Sequence, residues 1–318
     1  MSQDIFVVIE HLRGQVSDIS YIMLAGARDL AQMTGGQVVG VVLGHNGQGI
    51  AGNLAADHVL YLDHPQLAEF TSDAYQAALS GLLQEKKPRA VLFGSTTIGA
   101  GIANILSARL DFPMVGLCRS FGQGEKYVSQ ICGGKIMAEG ALPGPTALVT
   151  MIPGGYKPEQ GFSEQTPALS EVPAGPLDNL RVTLKNYIEP EAGDVDIANE
   201  SILIAVGRGI QTEDNIELAD ELAELMKGVV CASRPVVDQG WLPTSRMVGK
   251  SGKTVKPKLY LAMGISGAPE HVEGMVDSEM IIAVNTDPAA PIFDIAQYGA
   301  NTDLLDLMEV LIEQLEEL

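Results

Sequence analysis

Basic side chains are scarce in this chain: 20 Lys and Arg stand against 40 Asp and Glu, a formal charge of −20. Such a surface repels phosphate backbones and anionic lipid headgroups, which argues against nucleic acid as a partner. Cysteine is scarce too. Cys118, Cys132 and Cys231 are odd in number, far apart and outside any C-x-x-C or Cys/His cluster. Neither a disulfide framework nor a zinc or iron–sulfur centre is indicated, and all three are expected as buried small hydrophobes. Long apolar runs are missing. The opening MSQDIFVVIEHLRG sets Asp4 and Glu10 around a five-residue apolar run, too short and too acidic for a signal peptide or a membrane span. A cytoplasmic protein without membrane insertion is expected. No Ser-His-Asp order, H-E-x-x-H motif or isolated carboxylate pair asserts itself, so hydrolysis has no support.

What is present is a folded composition, 46% hydrophobic over 318 residues, longer than one core of ~100–200 residues accommodates. Two α/β domains are expected, residues 1–199 and 200–318. In the first, apolar runs at 5–9, 38–43, 59–62 and 90–93 alternate with helical patterns at 17–34, 66–87 and 98–110. That rhythm predicts a mostly parallel sheet with helices on both faces. Runs at 126–132, 135–138 and 146–151, broken by Gly and Pro, add strands and hairpins, and 153–176 and 189–199 read as linker-like stretches. The second, smaller domain repeats the alternation, with runs at 202–206, 229–232, 259–263 and 280–284 and helical patterns at 213–226 and 304–315. It predicts a doubly wound nucleotide-binding sheet.

The first domain has one candidate phosphate cradle, Gly94-Ser-Thr-Thr-Ile-Gly-Ala-Gly101, between a strand and a helix. It matches neither G-x-G-x-x-G nor a Walker motif, and its glycines would equally serve close helix packing. The second domain is denser in such features. Gly207-Arg208-Gly209 follows one apolar run, and Ser233-Arg234-Pro235 follows the next. Val248-Gly249-Lys250-Ser251-Gly252-Lys253-Thr254 has the glycines and hydroxyls of a loop that wraps a polar ligand, although a plain surface loop fits as well. Gly264-Ile265-Ser266-Gly267-Ala268-Pro269 and Asn285-Thr286-Asp287-Pro288 close two further strands. Polar and glycine residues at four successive strand ends argue for one extended ligand across a sheet edge. Taken singly, His271 also fits a helix-terminal histidine, and Trp241 and Tyr298 fit core or interface positions as well as ring stacking.

Read together, Ser233-Arg234-Pro-Val-Val-Asp-Gln-Gly-Trp241, Val248-Gly-Lys-Ser-Gly252, Tyr260-Leu-Ala-Met-Gly-Ile-Ser-Gly267, His271 and Ala283-Val-Asn285-Thr-Asp-Pro288 resemble the alpha subunit of electron-transfer flavoproteins. The spacing matches from about residue 207 to the C-terminus, whereas the N-terminal half is similar in pattern and length only. The resemblance implies FAD in the second domain and a beta subunit as heterodimer partner, which would hold AMP or a second FAD. It implies an electron carrier rather than a stand-alone enzyme, serving acyl-CoA or other dehydrogenases and a quinone oxidoreductase, or NADH and a ferredoxin system in electron-bifurcating members. It further implies that Arg234 lies against the isoalloxazine, Ser251 faces flavin N5, and His271 lies near the C2 carbonyl. Ser266, Gly267 and Ala268 would face the ribityl and pyrophosphate, and Asn285 and Asp303 the adenosine end. Arg208, Ser233, Val248, Gly249, Gly252, Gly264 and Ile265 would complete the cofactor site.

Three positions depart from the family's pattern: Lys250 and Glu270 stand where it has Gln, and Ser251 where Thr is commoner. Glu270 adds negative charge near a ring that becomes anionic and should lower its potential. Two other readings compete, a nicotinamide-dependent enzyme on a related nucleotide-binding fold and a nucleotide-sensing module without redox activity. The first would need an acid or base in a substrate pocket. The second leaves Arg234, Ser251 and His271 at matched spacing unexplained.

Overall fold

The computed structural model describes residues 2–132, 135–187 and 195–317. Its contacts separate two compact units, Met1–Tyr187 and Ile188–Leu318. This cut falls before the boundary expected near residue 199, for a packing reason. Ile197 is fully buried in the second unit's core with Leu203, Tyr260 and Ile281, and the Asp196 carboxylate accepts a hydrogen bond from Lys253 Nζ at 2.6 Å. Residues 189–194 of the acidic stretch lie outside the described residues.

The first unit begins with β1 (Ile5–Val8), a small antiparallel hairpin of β2 (His11–Leu12) and β3 (Gln15–Val16), and α1 (Asp18–Thr34). Then come β4 (Val38–Gly44), β5 (His58–Asp63), α2 (Ser72–Lys86), β6 (Ala90–Gly94), α3 (Gly99–Leu110), β7 (Met114–Gly122), β8 (Lys126–Ile131), β9 (Ile136–Ala141), β10 (Ala147–Met151) and β11 (Ala168–Glu171). Nine of these strands form one sheet in the order β11-β5-β4-β1-β6-β10-β7-β8-β9. Its pairs are parallel except β7 with β8 and β8 with β9. Strands buried on both faces read as continuous apolar runs because helices cover each side. Ile5 and Val7 pack with Met23, Leu24 and Ala27 of α1, and Phe6 and Val8 pack with Leu79 of α2 and Ile102 of α3 on the other side.

Four local expectations change. Helix α2 starts at Ser72, not near residue 66, because Thr71 caps it by accepting from Ala74 N–H at 3.4 Å; Pro65–Leu67 form a separate tight turn. The stretch 153–176 is not a linker. It contains β11, which pairs in parallel with β5 from Ala168↔His58, and Gly161 packs so closely that a Cβ there would lie 1.9 Å from the Tyr21 carbonyl oxygen. The nine-residue β7 joins β10 to β8 in the sheet where the sequence shows only irregular apolar spacing. Cys132 is exposed, at the end of β8 with φ 53. Cys118 and Cys231 are buried as expected, and burial pushes both thiols up to about 12.

The second unit contains β12 (Ile202–Val206), α4 (Ile216–Leu225), β13 (Val229–Ala232), the single turn α5 (Arg234–Asp238), β14 (Leu259–Met263), the short α6 (Pro269–Val272), β15 (Ile281–Val284), β16 (Tyr298–Ala300) and α7 (Leu304–Glu316). Its five strands are all parallel, in the order β13-β12-β14-β15-β16. One face carries α4 and α7 through Ile216, Leu222, Met308 and Ile312. The other is covered by Val255, Ile265, Met275 and Ile292 from shorter segments. Because every strand runs the same way, all five carboxyl ends emerge along one edge. Among the described residues, no helix is long and apolar enough to cross a membrane.

Candidate functional site

A cleft of about 910 Å³ opens along that edge, toward the upper end of the ~300–1,000 Å³ common for small-molecule sites. Segments after every strand line it: Arg208 and Gly209 after β12, Ser233 and Arg234 after β13, Gly264, Ile265, Ser266 and Ala268 after β14, Asn285 after β15, and Asp303 after β16. The loop Val248–Gly252 and His271 complete the wall. Every expected site residue is there except Gly267. That glycine, at φ +85, lies against the Ile292 backbone, where a Cβ would sit 2.3 Å from the Ile292 nitrogen. It shapes the turn rather than the wall.

The strand ends are drawn together by backbone contacts. Gly207 N–H donates to the Met263 carbonyl at 2.8 Å and Gly209 N–H to the Gly264 carbonyl at 3.2 Å. Gly264 adopts φ +67, and a Cβ on it would lie 2.8 Å from Gly209 Cα and 2.5 Å from Leu304 Cδ2. Glycine is therefore required, since any side chain would push apart the segment after β14, the turn after β12 and the start of α7.

The loop carrying Ser251 is a tight turn fixed to α6. Gly252 N–H donates to the Gly249 carbonyl at 2.9 Å, Lys253 N–H to the Met247 carbonyl at 2.7 Å, and Lys250 N–H to the Glu270 carbonyl at 2.7 Å. Gly249, at φ +130, and Gly274 are pressed together, and a Cβ on Gly274 would lie 2.5 Å from the Gly249 nitrogen. Ser251 and His271 are thus positioned by one packed unit.

His271 is 7% exposed, with Nε2 2.9 Å from Tyr260 Oη. Its Nδ1 is buried without a hydrogen bond. Burial pushes the imidazole down to about 4, with the Val248 backbone acting weakly the other way. At neutral pH the ring is uncharged. Tyr260, fully buried with its hydroxyl near Cys231, is held protonated by burial. Arg234 is exposed and pairs with Asp238 one helical turn on, at 3.3 Å. The Asn285 amide is spent inside the chain, donating to the Ile265 carbonyl at 2.9 Å while its oxygen accepts from Asp287 N–H at 2.9 Å. Asp303 caps α7 through Leu305 N–H at 2.8 Å.

Sequence reasoning missed Gln211, Ala290, Pro291 and Thr302, which also line the cleft. The fifth strand end was hard to see because β16 has only three residues, one of them glycine. The polar run Asn301-Thr302-Asp303 ahead of an amphipathic helix was its available signal.

The donor set fits a dinucleotide. Cations (Arg208, Arg234, Lys250), hydroxyls (Ser233, Ser251, Ser266, Thr286, Thr302) and glycine turns line one cleft at the carboxyl ends of the strands. No paired acid and base stands in it.

Comparison with known proteins agrees. Residues 5–177 match the electron transfer flavoprotein domain and residues 196–276 the electron transfer flavoprotein FAD-binding domain. The chain is 35% identical to the electron transfer flavoprotein subunit alpha of Methylophilus methylotrophus, covering 98% of each chain. It is 34% identical to the acryloyl-CoA reductase electron transfer subunit beta of Anaerotignum propionicum, over 99% of this chain and 96% of that one. A third relative, subunit LctC of the lactate dehydrogenase (NAD(+),ferredoxin) of Acetobacterium woodii, is 30% identical over 98% of this chain and 77% of its own. The chain belongs to the electron-transfer flavoproteins as an alpha-type subunit, with FAD as its cofactor.

Proposed function

We propose that this chain is the alpha half of a heterodimer whose beta subunit completes the carrier, and that it moves electrons in the cytoplasm between dehydrogenases, acyl-CoA dehydrogenases among them, and a quinone oxidoreductase or other acceptor. The observation that carries this reading is the convergence of Arg234, the Ser251 loop and His271 on one cleft that has no acid–base pair. Bound FAD supplies the redox-active ring. Arg234 offers a permanent positive charge where reduction adds negative charge, and Ser251 a hydroxyl for N5. His271, uncharged, provides polarity at the C2 side without a second cation. Ser266 and Ala268 flank the pyrophosphate at the start of α6, and Asp303 serves the adenosine end.

A second reading, the alpha-type subunit of an electron-bifurcating complex using NADH and ferredoxin, draws support from the relative named for NAD(+) and ferredoxin. Co-expression with candidate beta subunits tests the assembly. A yellow one-to-one heterodimer with flavin absorbance is expected, and weak FAD retention by the chain alone. A stable, FAD-replete monomer would count against the heterodimer. Reduction of ferredoxin by NADH through the purified complex would select the second reading.

A further inference from the structure

The first unit contains a second sheet edge of the kind that binds nucleotides. In the order β11-β5-β4-β1-β6-β10, the chain winds one way from β1 and the other way from β6. The crevice beyond their carboxyl ends is the switch point where open α/β sheets take ligands. The run Gly94-Ser-Thr-Thr-Ile-Gly-Ala-Gly101 lies there, leading into α3.

The crevice holds the chain's own carboxylate. Glu10, just past β1, is 5% exposed. Thr96 Oγ1 donates to its two oxygens at 3.0 and 2.8 Å and accepts from Gly99 N–H at 2.9 Å. A Cβ on Gly94 would lie 2.5 Å from Glu10 Oε1, and one on Gly99 2.4 Å from the same atom. Gly94 is therefore demanded by the carboxylate, and Gly99 by the carboxylate together with the Gly94 carbonyl oxygen, which a Cβ there would approach to 2.3 Å. Its backbone is fixed as well: Glu10 N–H donates to Ser20 Oγ at 2.8 Å, and its carbonyl accepts from Ser17 N–H at 2.9 Å. The backbone contacts fix where the side chain starts, and Thr96 holds its carboxylate. Burial raises its proton affinity, while Thr96 and the Gly94 backbone, both donors, pull the other way. A hydroxyl, a backbone donor and two glycines at a strand-to-helix turn are the surroundings a phosphate would meet.

We propose that Glu10 is a built-in anion: its carboxylate takes the phosphate position at the switch point of the N-terminal sheet, which bars phosphate-bearing ligands from this unit and leaves FAD to the C-terminal one.

The test uses the full chain, inorganic phosphate as probe, and melting followed by circular dichroism. Wild type should melt alike in phosphate and in chloride of matched ionic strength. Glu10→Ala should melt lower in chloride and recover at least half of the loss as phosphate is added, saturably, with phosphate bound ~10-fold more tightly than by wild type. Glu10→Gln, which keeps the shape without the charge, should melt below wild type and gain nothing from phosphate. An alanine variant that responds to phosphate no more than wild type overturns the proposal, as does a glutamine variant as stable as wild type at neutral pH. Should the alanine variant not fold in chloride, refolding in phosphate decides: recovery there supports a vacated anion site, and equal failure in both salts overturns it.

Discussion

Replacing His271 by Gln should flatten the pH dependence of stability of the second unit between pH 6.5 and 4. Burial lowers the folded imidazole from its ordinary 6.5 to about 4. The Val248 backbone offsets this only in part, and the Tyr260 phenol against the ring and the Cys231 thiol beside that phenol are both held protonated and add no charge. The unfolded chain therefore binds a proton at this residue as pH falls through 6.5, while the folded chain resists until about 4. Stability contributed this way is complete above pH 6.5 and lost across that window. At ~1.4 kcal/mol per pH unit it amounts to about 3 kcal/mol, the order of a third of a domain's whole stability. Glu10 titrates with the opposite sign, since its folded affinity for protons is raised, and comparison of two chains that both contain it removes its part. Trp241, the protein's one tryptophan, lies in the same unit. Its fluorescence in urea, recorded for ligand-free wild type and variant from pH 7.5 downward, gives the two curves. The difference between them should change by about 3 kcal/mol between pH 6.5 and 4, wild type losing stability there while the variant stays level, and hold constant above pH 6.5. Parallel curves would refute the argument, showing that His271 is not titrating from a buried, neutral state.

Arg234→Ala should lower the reduction potential of bound FAD, and Arg234→Lys should restore part of it. The ion pair with Asp238 is exposed at both ends and worth only ~0.3–0.5 kcal/mol, so the fold should barely notice. A unit charge at contact is worth ~1–4 kcal/mol between water-like and partly shielded surroundings; this guanidinium's exposure puts the effect at the lower end, tens of millivolts in a dye-coupled titration. Asp303→Ala should cost ~1 kcal/mol of stability through loss of the α7 cap and also weaken FAD binding by roughly 1–3 kcal/mol. Asp303→Asn keeps a capping oxygen, so it should melt like wild type yet bind FAD less tightly in calorimetry; unchanged affinity would reduce Asp303 to a cap.

The second sheet was legible because each of its strands except β16 is a run of four or five apolar residues stopped by glycine or a polar residue. Such a run is what a strand covered on both sides needs, and little else competes for it. The failures came where the local signal is weak or shared. β11 is Ala168-Leu-Ser-Glu171, a mostly exposed edge strand with nothing apolar to distinguish it from the proline-rich chain around it. β16 is too short to show a period. Helix α2 was extended because residues 66–71 carry helix-compatible side chains, and only Thr71 as a cap decides where helix begins. Cys132 was expected in a core by residue type, but it sits at the exposed end of a hairpin strand, where topology rather than hydrophobicity sets burial.

The two sheet edges show what a glycine-rich strand end can and cannot tell. Residues Gly94, Gly99, Gly207, Gly264 and Gly267 all lie at such ends, and each is glycine because something occupies the space of its missing Cβ. At 94 that something is Glu10, and at 99 Glu10 and the Gly94 carbonyl; at 207 it is the Gly264 carbonyl, at 264 the Gly209 backbone and Leu304, and at 267 the backbone of Ile292. In each long-range case the occupant is supplied by a remote stretch of chain, so the motif alone announces close approach without naming who approaches. What separates the cofactor edge from the closed one is the company the glycines keep. Around the second sheet Arg208, Arg234, Ser266 and Asp303 from four strand ends and Ser251 from the loop ahead of β14 line one open volume, whereas around the first a single buried carboxylate has already used the donors. Polar side chains from several chain segments facing one open volume are thus the feature that marks a ligand site, and only the fold shows whether that volume is open or filled from within.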